Sequence, residues 1–100
     1  MKNINMNVRH LHDASKLLSV KTLFKSENAI ASSIQLLKDG LLDKHITKVP
    51  AVLTCIKGNV IFENEKGDVK DMKAGDFVLI EPNVLHWVKG IKRSDLVLFR

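Results

Sequence analysis

The stretch Gly75-Asp76-Phe77-Val78-Leu79-Ile80-Glu81-Pro82-Asn83-Val84-Leu85-His86 decides the fold of this chain. A glycine turn opens it, the apolar run at residues 77–80 predicts a strand, and Pro82-Asn83 marks a second turn. Residues 84–88 then predict another strand, which carries His86. An earlier unit has a similar design, with a glycine at 40, a histidine at 45 and a glycine at 58. Two glycine-to-histidine units therefore organise the second half of the chain.

Short runs of β-branched and aliphatic residues lie on both sides of these units. Glycine turns separate the runs, for example at Lys57-Gly58-Asn59 and at Lys66-Gly67-Asp68. Many short strands with regular turns and almost no helix are typical of a sandwich or barrel, so we predict an all-β chain. Besides the two runs named above, the predicted strands cover residues 30–37, 45–47, 51–56, 60–63 and 96–99.

The beginning of the chain has a different pattern. Asp13 is a candidate cap for a short helix at residues 14–18, with little more than one turn of apolar spacing. His10-Leu11-His12 has no third ligand nearby, which predicts two surface histidines. We expect one domain over residues 1–100, with a barrel at roughly residues 20–100 and a helical or extended N-terminal segment at residues 1–19.

Composition argues against several classes of partner. Thirteen of the 16 basic residues are lysines scattered along the chain, so the net charge of +5 indicates a solvated surface rather than a nucleic-acid interface. No apolar run approaches the roughly 20 residues of a membrane span. The single cysteine, Cys55, cannot form an internal disulfide, which favours a reducing cytoplasm. We therefore expect neither nucleic acid nor a membrane as partner.

Alternation along the predicted strands assigns side chains to faces, because successive side chains of a strand point to opposite sides. His45 and Thr47 share one face, and His86 lies on the face opposite Trp87. In the strand that begins near residue 51, one face carries Ala51, Leu53 and Cys55.

The second unit resembles the second motif of the cupin superfamily, in particular of small single-domain RmlC-like cupins of the cupin 2 type. That motif is Gly, five residues, Pro-x-Gly, two residues, His. Gly75 and His86 keep this spacing. Glu81 stands at the proline position, with Pro82 one residue later and Asn83 at the glycine position.

The first unit is similar to the first cupin motif, which is Gly, five residues, His-x-His, three or four residues, Glu, six residues, Gly. His45 follows Gly40 after four residues, and Gly58 closes the unit. Thr47 replaces the second histidine, and Ala51 replaces the glutamate.

This resemblance implies a small jelly-roll barrel in which His45 and His86 approach each other at metal-ligand positions, beside a pocket lined by Thr47, Ala51, Leu53 and Cys55. A complete cupin metal site has three histidines and a carboxylate, and this chain keeps two of the histidines. We therefore predict no firmly held cofactor and at most a weakly bound divalent metal. Asp43 and Glu81 are the candidate replacement carboxylates, and both are expected to face water.

Two functional hypotheses follow, and they leave open whether the chain is an enzyme. The missing ligands favour a barrel that binds a small molecule without strong catalysis. The retained His45 and His86 favour the alternative, a metal-dependent oxygenase or isomerase with a reduced two-histidine site. A regulatory role would need a separate partner chain. We also predict a homodimer, because small jelly rolls leave strand edges to be covered; Trp87 and the N-terminal residues are candidate contacts.

Overall fold

The computed structural model describes Ile4 and residues 6–100, which form two antiparallel β-sheets with a shared core. Within that part of the chain, helix is confined to one turn of 3₁₀ helix at Val8–His10. The strands are β1 (Leu18–Lys25), β2 (Ile30–Leu36), β3 (Leu41–His45), β4 (Ala51–Lys57), β5 (Asn59–Asn64), β6 (Val69–Lys73), β7 (Phe77–Ile80), β8 (His86–Gly90) and β9 (Ser94–Phe99).

The strand order gives the topology of a jelly roll. The first sheet has the order β1-β2-β9-β4-β7, and the second has the order β3-β8-β5-β6. Strands that follow one another in sequence therefore often lie in different sheets, as β3, β4 and β5 do. The prediction of an all-β jelly roll is confirmed.

Two of the motif glycines occupy backbone conformations that side chains disfavour. Gly58 has φ +106° in the tight connection between β4 and β5, and a Cβ there would meet the Ser94 hydroxyl. Gly75 has φ +92° in the turn before β7. The glycine spacing seen in the sequence therefore reflects turns that fix where β5 and β7 begin.

The core lies between the two sheets. Inward-facing aliphatic residues of the five-stranded sheet meet those of the four-stranded sheet, as strand alternation requires. The buried cluster contains Ile34, Leu36, Ala51, Leu53, Cys55, Val60, Phe62, Met72, Ile80, Val88 and Leu96.

The structure corrects the predicted N-terminal helix. Ala14 and Ser15 form a turn, and the chain enters β1 at Leu18. The strand was missed because it is an edge strand, and a bulge between Thr22 and Phe24 breaks its alternation. The edge strand β6 was also missed, since Met72 is its single buried residue.

Two further predicted strands have different bounds in the structure. The strand predicted at residues 45–47 is observed at Leu41–His45, and the strand predicted at residues 84–88 is observed at His86–Gly90. Both histidines therefore stand at strand ends, His45 at the end of β3 and His86 at the start of β8.

Residues before β1 lie across the outer face of the five-stranded sheet. The Gln35 side-chain amide donates to the Asp13 carbonyl (2.9 Å), and the Arg93 guanidinium donates to the Arg9 carbonyl (3.2 Å). Gln35 alternates with the core residues Ile34 and Leu36, so its side chain is on the outer face. No helix in the described residues is long and apolar enough to cross a membrane.

Candidate functional site

The two motif histidines face each other across neighbouring strands. β3 and β8 pair antiparallel with His45 directly opposite His86. Their ring centroids are 4.0 Å apart, and the ring planes are tilted by 60°. The prediction that these residues approach each other, 41 positions apart in sequence, is confirmed.

Each imidazole is oriented by a backbone carbonyl two residues earlier. The Nδ1 atom of His45 lies 2.8 Å from the Asp43 carbonyl oxygen, and that of His86 lies 3.3 Å from the Val84 carbonyl oxygen. A carbonyl only accepts hydrogen bonds, so Nδ1 carries the proton in each neutral ring. Both Nε2 atoms consequently present lone pairs.

His86 is held in its neutral form by its surroundings. It is 2% exposed and stacks on Phe62, with centroids 5.9 Å apart and planes at 26°. Burial lowers the pKa of His86, and the neighbouring His45 lowers it further, against an opposing effect of the Val84 carbonyl. At neutral pH, His86 is therefore an acceptor through Nε2.

Thr47 contributes a buried hydroxyl without a partner. Its side chain is 6% exposed, and its Oγ1 has no hydrogen-bond partner among the residues that the structure describes. Its carbonyl accepts a hydrogen bond from the Asn83 amide (2.8 Å), which ties the loop after β3 to the turn before β8. The two motifs are thus joined through Thr47, whose hydroxyl is left unpaired inside the protein.

The other predicted pocket residues lie in the packed core. Leu53 and Cys55 are fully buried, and Ala51 is buried at the start of β4. Burial, and secondarily the charge of Asp76, raises the pKa of the Cys55 thiol, so it stays protonated and unreactive. Ala51 also lines an apolar groove of about 650 Å³, which contains neither His45 nor His86.

The candidate carboxylates are engaged away from the imidazoles. The Asp43 carboxylate is exposed and accepts a hydrogen bond from the Lys44 amide (2.7 Å). Glu81 forms an exposed ion pair with Lys66 (2.6 Å). Across the described residues, no group of three or more His, Cys, Asp or Glu side chains is placed to hold a metal.

A complete cupin metal site therefore does not fit this donor set. Two imidazoles, from His45 and His86, and an alcohol are fewer and weaker donors than the three protein ligands usual at a catalytic zinc.

Sequence reasoning missed a group of one histidine and two serines on the outer face of the five-stranded sheet. His12, predicted to be a surface histidine, is partly exposed, but it is also bonded to the sheet: its Nδ1 lies 2.7 Å from the Ser19 hydroxyl and its Nε2 lies 2.9 Å from the Ser33 hydroxyl. His10 is exposed, as predicted. Because 21 residues separate His12 from Ser33 and the first segment has no regular pattern, no sequence signal joins them.

Comparison with known proteins defines the class of fold. A cupin superfamily protein from Desulfitobacterium hafniense matches with a TM-score of 0.83 and 10% identity, over 92% of this chain and 84% of that one. An RmlC-like cupin from Desulfovibrio desulfuricans matches with a TM-score of 0.82 and 15% identity, over 99% and 94% of the two chains. Neither a family model nor a curated protein matches the sequence.

A third structure has a higher identity to this chain. An RmlC-like cupin from Shewanella frigidimarina is 21% identical, with a TM-score of 0.78, over 87% of this chain and 78% of that one. At such identities the likeness establishes the fold alone. The chain has the RmlC-like cupin fold, a small jelly-roll barrel, as the two glycine-to-histidine units predicted.

Proposed function

We propose that the barrel binds a small molecule that donates hydrogen bonds to the Nε2 atoms of His45 and His86, without strong catalysis. One observation carries this proposal: both Nδ1 atoms are used by backbone carbonyls, so two acceptors stand side by side.

The chemistry of these groups favours a neutral, hydroxylated ligand. Burial disfavours the charged form of His86, so a ligand that needs an imidazolium partner is a poor match. Adjacent hydroxyl groups offer two donors to two neighbouring acceptors, and Phe62 beside His86 offers an apolar contact. A small polyol or sugar has these features.

Nuclear magnetic resonance of the histidine Cε1–H signals tests the proposal in protein purified without a histidine tag. Ethylene glycol, glycerol and glucose serve as probes. We expect at least one probe to shift the His45 and His86 signals saturably and to leave the exposed His10 signal unchanged. If no probe causes a saturable shift, and solvent extraction of the protein releases no organic molecule, the proposal is wrong.

The alternative function is a metal-dependent enzyme, and one observation favours it. Metal-binding histidines usually donate their second ring nitrogen to a carbonyl or carboxylate, as both rings do here. His45 and His86 would hold the ion through Nε2, and a bound divalent metal would supply Lewis acidity. Stoichiometric metal that resists a chelator in the tag-free protein would establish this alternative over the first proposal.

We infer that the protein is a homodimer, because an apolar row of side chains crosses the outer face of the five-stranded sheet. Leu79 is 72% exposed, Phe24 59% and Phe99 48%. A second copy related by a two-fold axis would bury this row against itself. The pairing registers place in one row Phe24, Ala31, Phe99, Val52 and Leu79.

Light scattering at micromolar concentration tests the dimer. We expect the wild type to have the mass of two chains and Leu79→Lys to have the mass of one. Val69→Lys is the matched control, since Val69 is 65% exposed on β6 of the other sheet. A monomeric wild type, or dissociation by both variants, would contradict this inference.

We also place the protein in a reducing cytoplasm. The support is the chemistry of Cys55, a buried free thiol that burial keeps protonated. Recovery of the native protein from the soluble cytoplasmic fraction is expected, and its recovery from an extracytoplasmic fraction would contradict the placement.

A further inference from the structure

A small basic pocket lies on the outer face of the five-stranded sheet, apart from the paired histidines. It encloses about 190 Å³ and is lined by Arg9, His10, Lys57, Arg93 and Asp95. Three cationic side chains therefore surround one carboxylate, which leaves an excess of two positive charges. A doubly charged anion would neutralise that excess.

The buried Asp95 carboxylate sets a second requirement for any molecule that binds in the pocket. The Asp95 side chain is 3% exposed, and its Oδ1 atom has no hydrogen-bond partner among the described residues. On β2, Gln35 stands directly opposite Asp95, and the Gln35 Oε1 atom also lacks a donor. The Asp95 carboxylate lines the pocket and would repel a bare anion oxygen, so the occupant of this pocket should bring a donor of its own.

The walls of the pocket are held in place by specific bonds. The 3₁₀ turn that carries Arg9 and His10 is fastened by the Arg93 guanidinium, which donates to the Arg9 carbonyl. A few residues later, His12 contacts the hydroxyls of Ser19 and Ser33 on β1 and β2. The pocket is therefore preformed between the N-terminal segment and strands β4 and β9.

We propose that this pocket binds a phosphate oxyanion that still carries a proton. Arginine and lysine donate to the oxyanion oxygens, as at many phosphate sites, while the phosphate hydroxyl donates to the Asp95 carboxylate. Hydrogenphosphate has both the two negative charges and the donor that the pocket requires. Sulfate has the same shape and charge but no proton at neutral pH, and it would place a bare oxygen against the Asp95 carboxylate.

Discrimination between phosphate and sulfate tests the proposal by calorimetric titration of the wild type at neutral pH and low salt. A site that hydrogen-bonds a ligand hydroxyl rejects an analogue without it, so we expect sodium phosphate to bind more than about tenfold tighter than sodium sulfate. In Asp95→Asn, the amide can donate to either ion, and we expect the preference for phosphate to disappear. An unchanged preference in this variant, measured after its folding is verified by circular dichroism, would overturn the proposal.

A second pair of variants tests the cationic side of the pocket. Lys57→Gln should weaken phosphate binding by about tenfold, since it removes a charge from the lining. Lys48→Gln removes the same charge from the exposed loop between β3 and β4, and it should leave the affinity unchanged. Equal losses in both variants, or no saturable phosphate binding by the wild type, would show that no such site exists.

Glycerol 3-phosphate tests whether the phosphate hydroxyl is required. At neutral pH its dianion carries no phosphate hydroxyl, so we expect it to bind more weakly than inorganic phosphate. Equal or tighter binding would show that Asp95 does not accept from a phosphate hydroxyl, and it would overturn the proposal.

Discussion

Two histidines, His12 on the outer face of the five-stranded sheet and His86 inside the barrel, show how differently the same side chain can be used. His12 has both ring nitrogens within hydrogen-bond distance of serine hydroxyls, at 2.7 and 2.9 Å. His86 is fixed through Nδ1 alone and faces His45 with its ring centroid 4.0 Å away. The His12 ring therefore holds the N-terminal segment against the sheet, whereas the His86 ring keeps its Nε2 atom free to bind a ligand.

Burial by itself does not separate these two roles. It is the largest influence on the pKa of both rings and lowers it in each case. The difference lies in the number of ring nitrogens that the protein itself satisfies. Ser33 is fully buried, so the contact between His12 and Ser33 gives no substrate access and is not a nucleophile pair.

The largest effect is expected from restoring the missing ligands beside His86. Thr47→His with Ala51→Glu should raise zinc affinity by more than about 100-fold, since residues that bind the metal directly matter more than those that only orient its ligands. Both positions are buried, at 6% and 4% exposure, so the larger side chains should also cost about 1–3 kcal/mol of unfolding free energy. Competition with a chromogenic chelator measures the affinity.

Thr54→His provides the control for the added imidazole. Thr54 alternates with Leu53 and Cys55 on β4, so its side chain lies on the outer face, away from the histidine pair. If Thr47→His alone raises zinc affinity no more than Thr54→His does, Thr47 does not share a site with the two histidines.

The next largest effect is expected on stability, from removing His12, which bonds the N-terminal segment to the sheet. His12→Ala leaves the fully buried Ser33 hydroxyl without this partner, and the unfolding free energy should fall by about 2 kcal/mol. His10→Ala, two residues away on an exposed position, should cause no measurable change. Urea denaturation measures both, and equal effects would contradict this role of His12.

A smaller effect is expected from pH. The pKa values of His12 and His86 are lowered in the folded protein, so the unfolded chain binds more protons below its histidine pKa. Stability should therefore be constant well above pH ~6.5, begin to decrease as the pH approaches that value, and stop decreasing once the folded-state pKa values are passed. The double variant His12→Asn, His86→Asn should have a shallower decrease between pH ~6.5 and ~5, and an unchanged decrease would contradict this origin.

The contrast between the two faces also explains what the sequence could predict. The side chains that face the inside of the barrel could be predicted, because motif spacing and alternating burial agree there. The evidence was the glycine turns at Gly58 and Gly75 and the alternation along β4 and β8. The outer network joins His12 to Ser33 and Gln35 to the Asp13 carbonyl, and it depends on long-range contacts between polar residues without periodicity. Such contacts have no local signal in one sequence.

The smallest effect is expected from changing the two candidate carboxylates near the inner site, Asp43 and Glu81. Glu81 is paired with Lys66, and the Asp43 carboxylate accepts from the Lys44 amide, so neither is placed to complete a site with the imidazoles. Glu81→Gln and Asp43→Asn should therefore leave zinc affinity within about twofold of the wild type. Loss of a true ligand would exceed the roughly 10–100-fold decrease that is typical when a residue bonded to a ligand is lost. The same chelator competition applies, with His45→Gln as the reference for a lost ligand. A loss in one carboxylate variant as large as that reference would make that residue the third ligand, and it would turn the inner site from a ligand-binding pair into a metal centre.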